Sequence, residues 1–514
     1  MNIARAGPCD LSLLSKIKPR NMKNNEITRS QKGKRLSRRN FIGTVSAATT
    51  GFMIVPRNVL GGKGYKAPSD MINVAGIGIG ARGAADVQGV ADPDVLMERP
   101  QRTNTGIPYT KEQLAVQAAR ASQRPAQTAQ PSRVPRKLAN IYALCDVDTS
   151  FAAHVFKAYP KAKVYTDWRK MLEKEKSIDA VLIGTPDHNH APIAAAFMRQ
   201  KKHVYVEKPM CKTIFECRKL AELAKEYDVV TQTGNQGHAT EDTRLTIEWI
   251  QSGQVGLVRE VYLSTNRPIW PQGNLPRPPA MPVPKTLNYD VWLGPAPDKP
   301  YNPELLHFNW RGLWDYGTGA MGDMGAHTFD APVRALNLGL PTKIQATSSP
   351  YSTDYMPQAE WVTYEFPARG YLPPVKATWC DGGLRPPRPA ELEPGRPIMD
   401  VIYYGDKGIM MHNSSGSNPQ FVPANKDFKG IEPWLPRIGD IYEDWIGAIL
   451  AGKKSSNDFS FSSKVTEIML LTNVAVLTAR SNVTLEYDAV NMKITNLPEA
   501  NNYLHYEYRN GWTL

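Results

Sequence analysis

The segment from Met71 to Gly83 constrains this chain most: a short apolar run, Met71-Ile72-Asn73-Val74-Ala75-Gly76, passes directly into Gly78-Ile79-Gly80-Ala81-Arg82-Gly83. The run reads as a strand, and the Gly-x-Gly-x-x-Gly spacing turns such a strand into a helix. Each glycine has its own task. The first makes the tight turn, the second lets backbone approach a pyrophosphate, and the third allows the helix to pack on the strand with its N-terminus facing the phosphates. Glycines also gather in ordinary turns, so the pattern gains weight from the strand before it, the helix after it and the alternating units beyond. Together these predict dinucleotide binding at Gly78, Ile79, Gly80, Arg82 and Gly83.

From about residue 88 to 138 the chain turns to Gln, Ala, Pro, Arg and Thr, a polar insertion with one helix expected near Lys111–Ser122. Regular alternation then returns. Strands are predicted at Asn140–Cys145, Val164-Tyr165, Ile178–Gly184, His203–Val206 and Val229–Thr233. Helices are predicted up to Tyr159, from Trp168 to Lys174, from Ala191 to Arg199, and from a capping box at Thr213/Glu216 to Tyr227. Strands alternating with helices argue for a doubly wound parallel α/β sheet, a Rossmann domain over 69–236. After Gly237 the character changes. A helix near Thr240–Ser252 leads to strands such as Val258–Thr265, Trp361–Phe366 and Val401–Gly405, separated by Pro-, Trp- and Gly-rich loops at 267–303 and 381–397. This predicts an α+β domain over 237–514 built on a largely antiparallel open sheet. Such a sheet offers a surface for pairing subunits, so a homo-oligomer is expected.

The net charge of +13 raises the question of nucleic acid, but ten of those charges fall within residues 1–60, leaving +3 for the rest. The body therefore has no electrostatic footprint for DNA or RNA. Within that basic leader, Ser37-Arg38-Arg39-Asn40-Phe41-Ile42 precedes a mildly apolar run to Val55. The run is short for a membrane span and fits a signal segment. Paired arginines followed by Phe-Ile resemble the bacterial twin-arginine export signal, so export to the periplasm through that machinery is expected. Residues 1–21 add nothing to the signal, which makes Met22 an alternative start. The five cysteines, Cys9, Cys145, Cys211, Cys217 and Cys380, form no CxxC pair. Neither a disulfide framework nor a structural metal is expected.

Four further motifs carry chemistry. Asp146 closes the second strand, where an acidic residue binds the adenosine ribose hydroxyls; the polar insertion explains why it lies 63 residues past Gly83. A carboxylate there disfavours a 2′-phosphate, so NAD is favoured over NADP, although Arg82 keeps the choice open; the bland alternative for Asp146 is a helix cap, for which Asp148 is the better candidate. Thr185-Pro186-Asp187-His188-Asn189-His190 follows a strand at the carboxyl edge of the sheet, where ligands bind in such folds. Contact with cofactor or substrate is expected there, with His188 by itself read as a simple loop residue. Glu207-Lys208-Pro209 ends another strand at the same edge, and a lysine in a cleft can stabilise a developing alkoxide. Asp323 and His327 stand four residues apart, on one face if helical, after a glycine-rich run; imidazole is suited to take a hydroxyl proton, the alternative being a surface ion pair.

In this order these motifs resemble the glucose–fructose oxidoreductase/inositol dehydrogenase (Gfo/Idh/MocA) family, over about Ile72 to Asp330 and more loosely beyond. The resemblance implies hydride transfer between nicotinamide and the carbinol carbon of a sugar or cyclitol. It makes Lys208 the group that contacts both nicotinamide and the reacting hydroxyl, His327 the general base, and Asp323 an orienter of the substrate or of that histidine. Thr185, Pro186, His190, Glu207 and Gln236 join the fingerprint and Asp146 in cofactor contact. Gly234-Asn235-Gln236 resembles the family's strand end near the substrate, and the Trp310–Asp330 segment the site wall of an exported branch. Trp270, Trp310 and Trp314 offer flat faces for a sugar ring or belong to the core. Two rival readings stay open: an NAD-dependent glycosidase working through a transient 3-keto sugar, and a sugar-binding protein without turnover.

Overall fold

The computed structural model of the chain describes residues 71–98, 110, 137–509 and 511–514. The predicted leader and the helix near Lys111–Ser122 lie outside the described residues.

Six short runs become strands β1 (Asn73–Ile77), β2 (Asn140–Cys145), β3 (Lys163–Tyr165), β4 (Ala180–Ile183), β5 (His203–Glu207) and β6 (Thr231–Gly234). All their pairings are parallel, in the order β3-β2-β1-β4-β5-β6. Strand order reverses between β1 and β4, and ligands in such sheets bind outside the carboxyl ends at that switch point. Val74, Ala75, Val181 and Leu182 are fully buried, as a parallel sheet covered on both faces requires. Helices α1 (Arg82–Val90), α2 (Ala153–Ala158), α3 (Trp168–Lys174), α4 (Asp187–Arg199) and α5 (Ile214–Glu226) make the connections. The start of α5 is fixed by the expected capping box, with both reciprocal bonds between Thr213 and Glu216 formed.

The remaining strands are β7 (Val258–Ser264), β8 (Lys343–Ser348), β9 (Glu360–Phe366), β10 (Val375–Cys380), β11 (Val401–Gly405), β12 (Ile409–His412), β13 (Gln420–Val422), β14 (Leu485–Asp488) and β15 (Lys493–Ile494). They form one sheet in the order β13-β12-β11-β7-β10-β9-β8-β14-β15. Only β7 and β10 run parallel; the other pairings are antiparallel. The largely antiparallel second sheet is thus present. Along β9, Val362, Tyr364 and Phe366 point into the core at the two-residue period of a half-buried strand.

Helix α6 (Glu241–Gln251) leads from the first sheet into the second. Near the C-terminus, α7 (Ile441–Ala451) and α8 (Phe459–Leu477) return to the first. Helix α8 packs on α5, and α7 packs on α1 and β6. Asp440 caps α7 at its start, and Gly452, at φ +60°, ends it in the left-handed conformation. Trp445 of α7 is fully buried against the Tyr205 ring, 5.5 Å between centroids. One apolar core joins Met210 and Leu220 to Val362, Trp379 and Leu471. Each such side chain contributes about 1.5–3 kcal/mol when removed from water, so the two sheets are held together by the same burial. Among the described residues no helix is long and apolar enough to cross a membrane.

Candidate active site

The turn after β1 is built by steric necessity. Gly78 has φ +71°, and a Cβ there would stand 2.6 Å from the Thr185 amide nitrogen. A Cβ on Gly83 would stand 2.2 Å from the Gly78 carbonyl oxygen, so the third glycine does bring α1 against the turn. At Gly80 the close neighbour is the Phe151 ring, 2.1 Å from the position of a Cβ. The side chain of Ile79 is fully buried in the core beneath the turn. A cleft of about 660 Å³, within the range of cofactor sites, opens at this switch point, with Gly78, Gly80, Arg82, Asp146, Thr185 and Pro186 on its wall. Glu207, Lys208 and Arg311 line it as well.

Asp146 reaches back to the fingerprint: its Oδ2 accepts from the Gly80 amide at 2.9 Å and its Oδ1 from the Asp148 amide at 3.0 Å. Burial pushes its carboxyl up to about 6 against those bonds. The carboxyl is ionised at neutral pH and faces the cleft as an acceptor. Asp148 caps the turn that follows, accepting from the Ser150 and Phe151 amides.

Arg82 is already engaged. Its Nε lies 3.1 Å from Glu207 Oε1, and its Nη2 lies 2.9 Å from Asp86 Oδ1 and 3.1 Å from the Tyr442 hydroxyl oxygen. Gln236 donates to Glu207 Oε1 at 2.9 Å. Gln236 therefore acts behind the cleft, on Glu207. Burial and the Glu207 charge push the Asp86 carboxyl well above the usual range. The guanidinium is thus held in place by Glu207, Asp86 and Tyr442 at the cleft wall.

The chemistry-bearing side chains come from the carboxyl ends of β5 and β6 and from the Met321–Gly325 turn of π-helix that runs into the short helix Ala326–Thr328. Lys208 Nζ donates to Asp323 Oδ1 and to the Asp323 carbonyl, both at 2.8 Å. Arg311 Nε lies 3.4 Å from the same carboxylate oxygen. Burial opposes the charge, yet Lys208 and Arg311 together hold the Asp323 carboxyl well below its ordinary value. Asn235 Nδ2 donates to the Ala326 carbonyl at 2.8 Å, which turns its Oδ1 toward His327 Nδ1, also at 2.8 Å. His327 Nδ1 must then carry the proton, leaving Nε2 as the basic nitrogen. Burial, followed by the Lys208 cation, pulls the imidazole down to about 4, so it is neutral and available as a base near pH 7.

Several expectations need correction. Of the two roles expected of Asp323, orienting the histidine falls to Asn235, while the Asp323 carboxylate takes Lys208. His188 is no loop residue: it sits in α4, fully buried, with its ring nitrogens on the Trp292 and Tyr316 carbonyls, and burial pulls it down to about 3. His190 does not line the cleft; its ring is clamped between the Pro209 and Thr185 carbonyls, both at 2.8 Å, and ties the two site turns together. Of the two roles open to the tryptophans, Trp270 takes the buried one, against Phe308, whereas Trp310 lines the cleft. Two polar residues escaped the sequence reading. Arg311 lies over the Trp310 ring at 4.3 Å, and an arginine beside aromatics in the wall segment was the available signal. Asp187, buried and accepting from Thr318 Oγ1 at 2.6 Å, ties the β4 turn to that wall. Among the described residues no group of His, Cys, Asp and Glu is placed to hold a metal ion.

Residues 115–235 match the family model described as oxidoreductase family, NAD-binding Rossmann fold, and residues 269–367 match the oxidoreductase family, C-terminal alpha/beta domain. The chain is 25% identical over 131 residues to myo-inositol 2-dehydrogenase of Thermotoga maritima, covering 26% of this chain and 39% of that protein. It is 36% identical over 92 residues to an alpha-N-acetylgalactosaminidase of Shewanella oneidensis, 16% of this chain and 20% of that one. The matches thus span about two fifths or less of these relatives. In fold the chain is similar to the WlbA dehydrogenase from Bordetella pertussis, solved in complex with NADH and UDP-GlcNAcA: TM-score 0.51, 14% identity, covering 81% of this chain and 99% of that one.

Proposed function

We propose, from the premise that this chain carries the two oxidoreductase domains of the Gfo/Idh/MocA family, that it is an NAD-dependent oxidoreductase of a sugar or polyol. The observation that carries this reading is the convergence of Lys208, Asp323, Asn235 and His327 at the carboxyl edge of the sheet. Gly78, Asp146, Thr185 and Glu207 form a cradle whose shape and acceptors fit NAD. Bound there, the nicotinamide supplies the two-electron acceptor for a carbinol hydrogen. The chain's own residues handle the proton and the charge. His327 Nε2 takes the hydroxyl proton, its tautomer fixed by Asn235, and Lys208 Nζ donates to the oxygen as negative charge develops there. Asp323 and Arg311 fix the place of the Lys208 ammonium. In the reverse direction the same groups return the proton.

The similarity to an alpha-N-acetylgalactosaminidase favours a second reading, redox-neutral glycoside cleavage, in which the cofactor ends each turnover as it began. His327 and Lys208 serve both. Net NADH formation from a free sugar supports the first; release of an aglycone without NADH supports the second. A sugar-binding role without turnover predicts that Lys208→Ala and His327→Ala leave the biological role intact. The reading also includes export through the twin-arginine pathway, supported by Arg38-Arg39 and the apolar run after them, and assembly into a homo-oligomer. Under export the cofactor is loaded before translocation and retained.

Mass spectrometry of small molecules released by denaturing the full chain tests the core of this reading. Recovered NAD(H) is the expected result. NADP(H) would overturn the assignment of Asp146, and a protein that is empty and also fails to bind added nicotinamide cofactors would sink the oxidoreductase reading.

A further inference from the structure

A second cavity, of about 780 Å³, borders the same wall segment and shares no lining residue with the first. Trp310 and Arg311 face the dinucleotide cleft, while Trp314, Asp315 and Gly317 face this one. Three polar atoms on its lining residues are left without partners. Trp314 Nε1, His505 Nδ1 and the Tyr506 hydroxyl are buried and make no hydrogen bond, although buried polar groups are ordinarily paired. Its charges are unbalanced in the same way. Lys212 Nζ stands 4.4 Å above the Tyr506 ring, and the Arg480 guanidinium stands 6.0 Å from the Tyr351 ring at the cavity's rim. Among the described residues neither cation has an ion-pair partner. The carboxylate on the wall, Asp315, is taken by Lys299 at 2.6 Å. Burial pulls the Lys212 ammonium below its ordinary value despite Glu216, Asp315 and Asp187 at longer range.

We infer that this cavity is a second ligand site, for an anionic saccharide. Aromatic faces at Trp314, Tyr351 and Tyr506 suit the apolar side of a sugar ring. The unpaired Trp314 Nε1, His505 Nδ1 and Tyr506 hydroxyl suit its hydroxyls, and Lys212 takes the carboxylate or phosphate, with Arg480 at the rim. An anion there supplies the counter-charge that a buried ammonium otherwise lacks. Lys212, Tyr351, Arg480, His505 and Tyr506 take no part in the hydride transfer, and the site stands or falls separately from it.

Isothermal titration of the full chain with glucuronate, glucose 6-phosphate and neutral glucose tests it. One acidic sugar is expected to bind at one per chain, and which of the two binds names the anion; glucose should bind at least about tenfold more weakly. Lys212→Met should weaken the acidic sugar by about tenfold or more, while Lys208→Met in the first cavity should leave it unchanged. Tyr506→Phe removes one polar atom and keeps the ring; a loss of a few-fold carries the test if Lys212→Met does not fold. The inference is overturned by equal binding of glucose, by no binding of either acidic sugar, or by binding that is lost in Lys208→Met and kept in Lys212→Met.

Discussion

Asn235 and His327, 92 residues apart in the chain, meet at 2.8 Å between the amide Oδ1 and the imidazole Nδ1. Because the Asn235 amide nitrogen is spent on the Ala326 carbonyl, the pair has one hydrogen-bond polarity, which leaves the basic lone pair on Nε2. Asn235→Ala should release the ring and let the proton move to Nε2. Since a positioned base contributes about 10²–10⁴-fold, losing its orientation should lower kcat by roughly 10- to 100-fold while the cofactor Kd stays put. Steady-state kinetics with a sugar substrate check this; an unchanged kcat would remove Asn235 from the mechanism.

The same imidazole sets the acid limb of the pH profile. A general base works only unprotonated, and burial, then Lys208, holds His327 down at about 4. Activity at saturating NAD should therefore persist as pH falls through 6.5, the ordinary histidine value, and be lost only as pH falls through about 4. A limb near 6.5 would show that His327 is not the base, or not buried during turnover.

Cofactor affinity should titrate at a different place. The Asp146 carboxyl, pushed up to about 6 by burial, accepts ribose hydroxyls best when ionised. As pH falls through that value it gains a proton, and the Kd for NAD should rise about tenfold between pH 7 and pH 5. Its charge should also repel a 2′-phosphate; one unit charge at about 6 Å in an effective dielectric near 20 is worth roughly 100-fold in preference for NAD over NADP. Asp146→Ser should erode most of that preference. Retention of the full preference in the serine variant would move the discrimination elsewhere.

What was readable in advance was what neighbouring residues decide. The glycines at 78 and 83 announce a turn that no side chain fits, Thr213 and Glu216 announce a helix start, and the apolar strands follow from burial on both faces. Lys208, Asp323 and His327 were found because each sits in a short motif at a strand end or glycine-rich turn. Their pairing was not readable, since which carboxylate meets Lys208 and which amide meets His327 depends on segments about a hundred residues apart. His188 was misread for the same reason: its partners, Trp292 and Tyr316, lie in the second half of the chain. The return of α7 onto α1 is the longest such relation, with the Tyr442 hydroxyl 2.7 Å from Asp86 Oδ1 across 356 residues. The Arg82 guanidinium joins the same relation, 3.1 Å from the Tyr442 hydroxyl oxygen across 360 residues, and no local pattern announces it.

Lys208 and Asp323 make the sharpest pair of variants. Lys208 is the cation placed to meet charge on the substrate oxygen, and loss of one such donor costs about 10²–10³-fold in kcat. Lys208→Ala should show that loss with the NAD Kd changed by less than about threefold. Asp323→Asn leaves an oxygen near Lys208 Nζ but removes the anion that, with the carbonyl of the same residue, fixes the ammonium in place. It should therefore cost less, on the order of tenfold. Removing that anion also takes away a charge that raises the His327 pKa, so the acid limb of Asp323→Asn should move below its wild-type position. A limb that moves upward, or a Lys208→Ala protein that no longer binds NAD, would assign Lys208 and Asp323 to holding the cofactor instead of handling charge on the substrate.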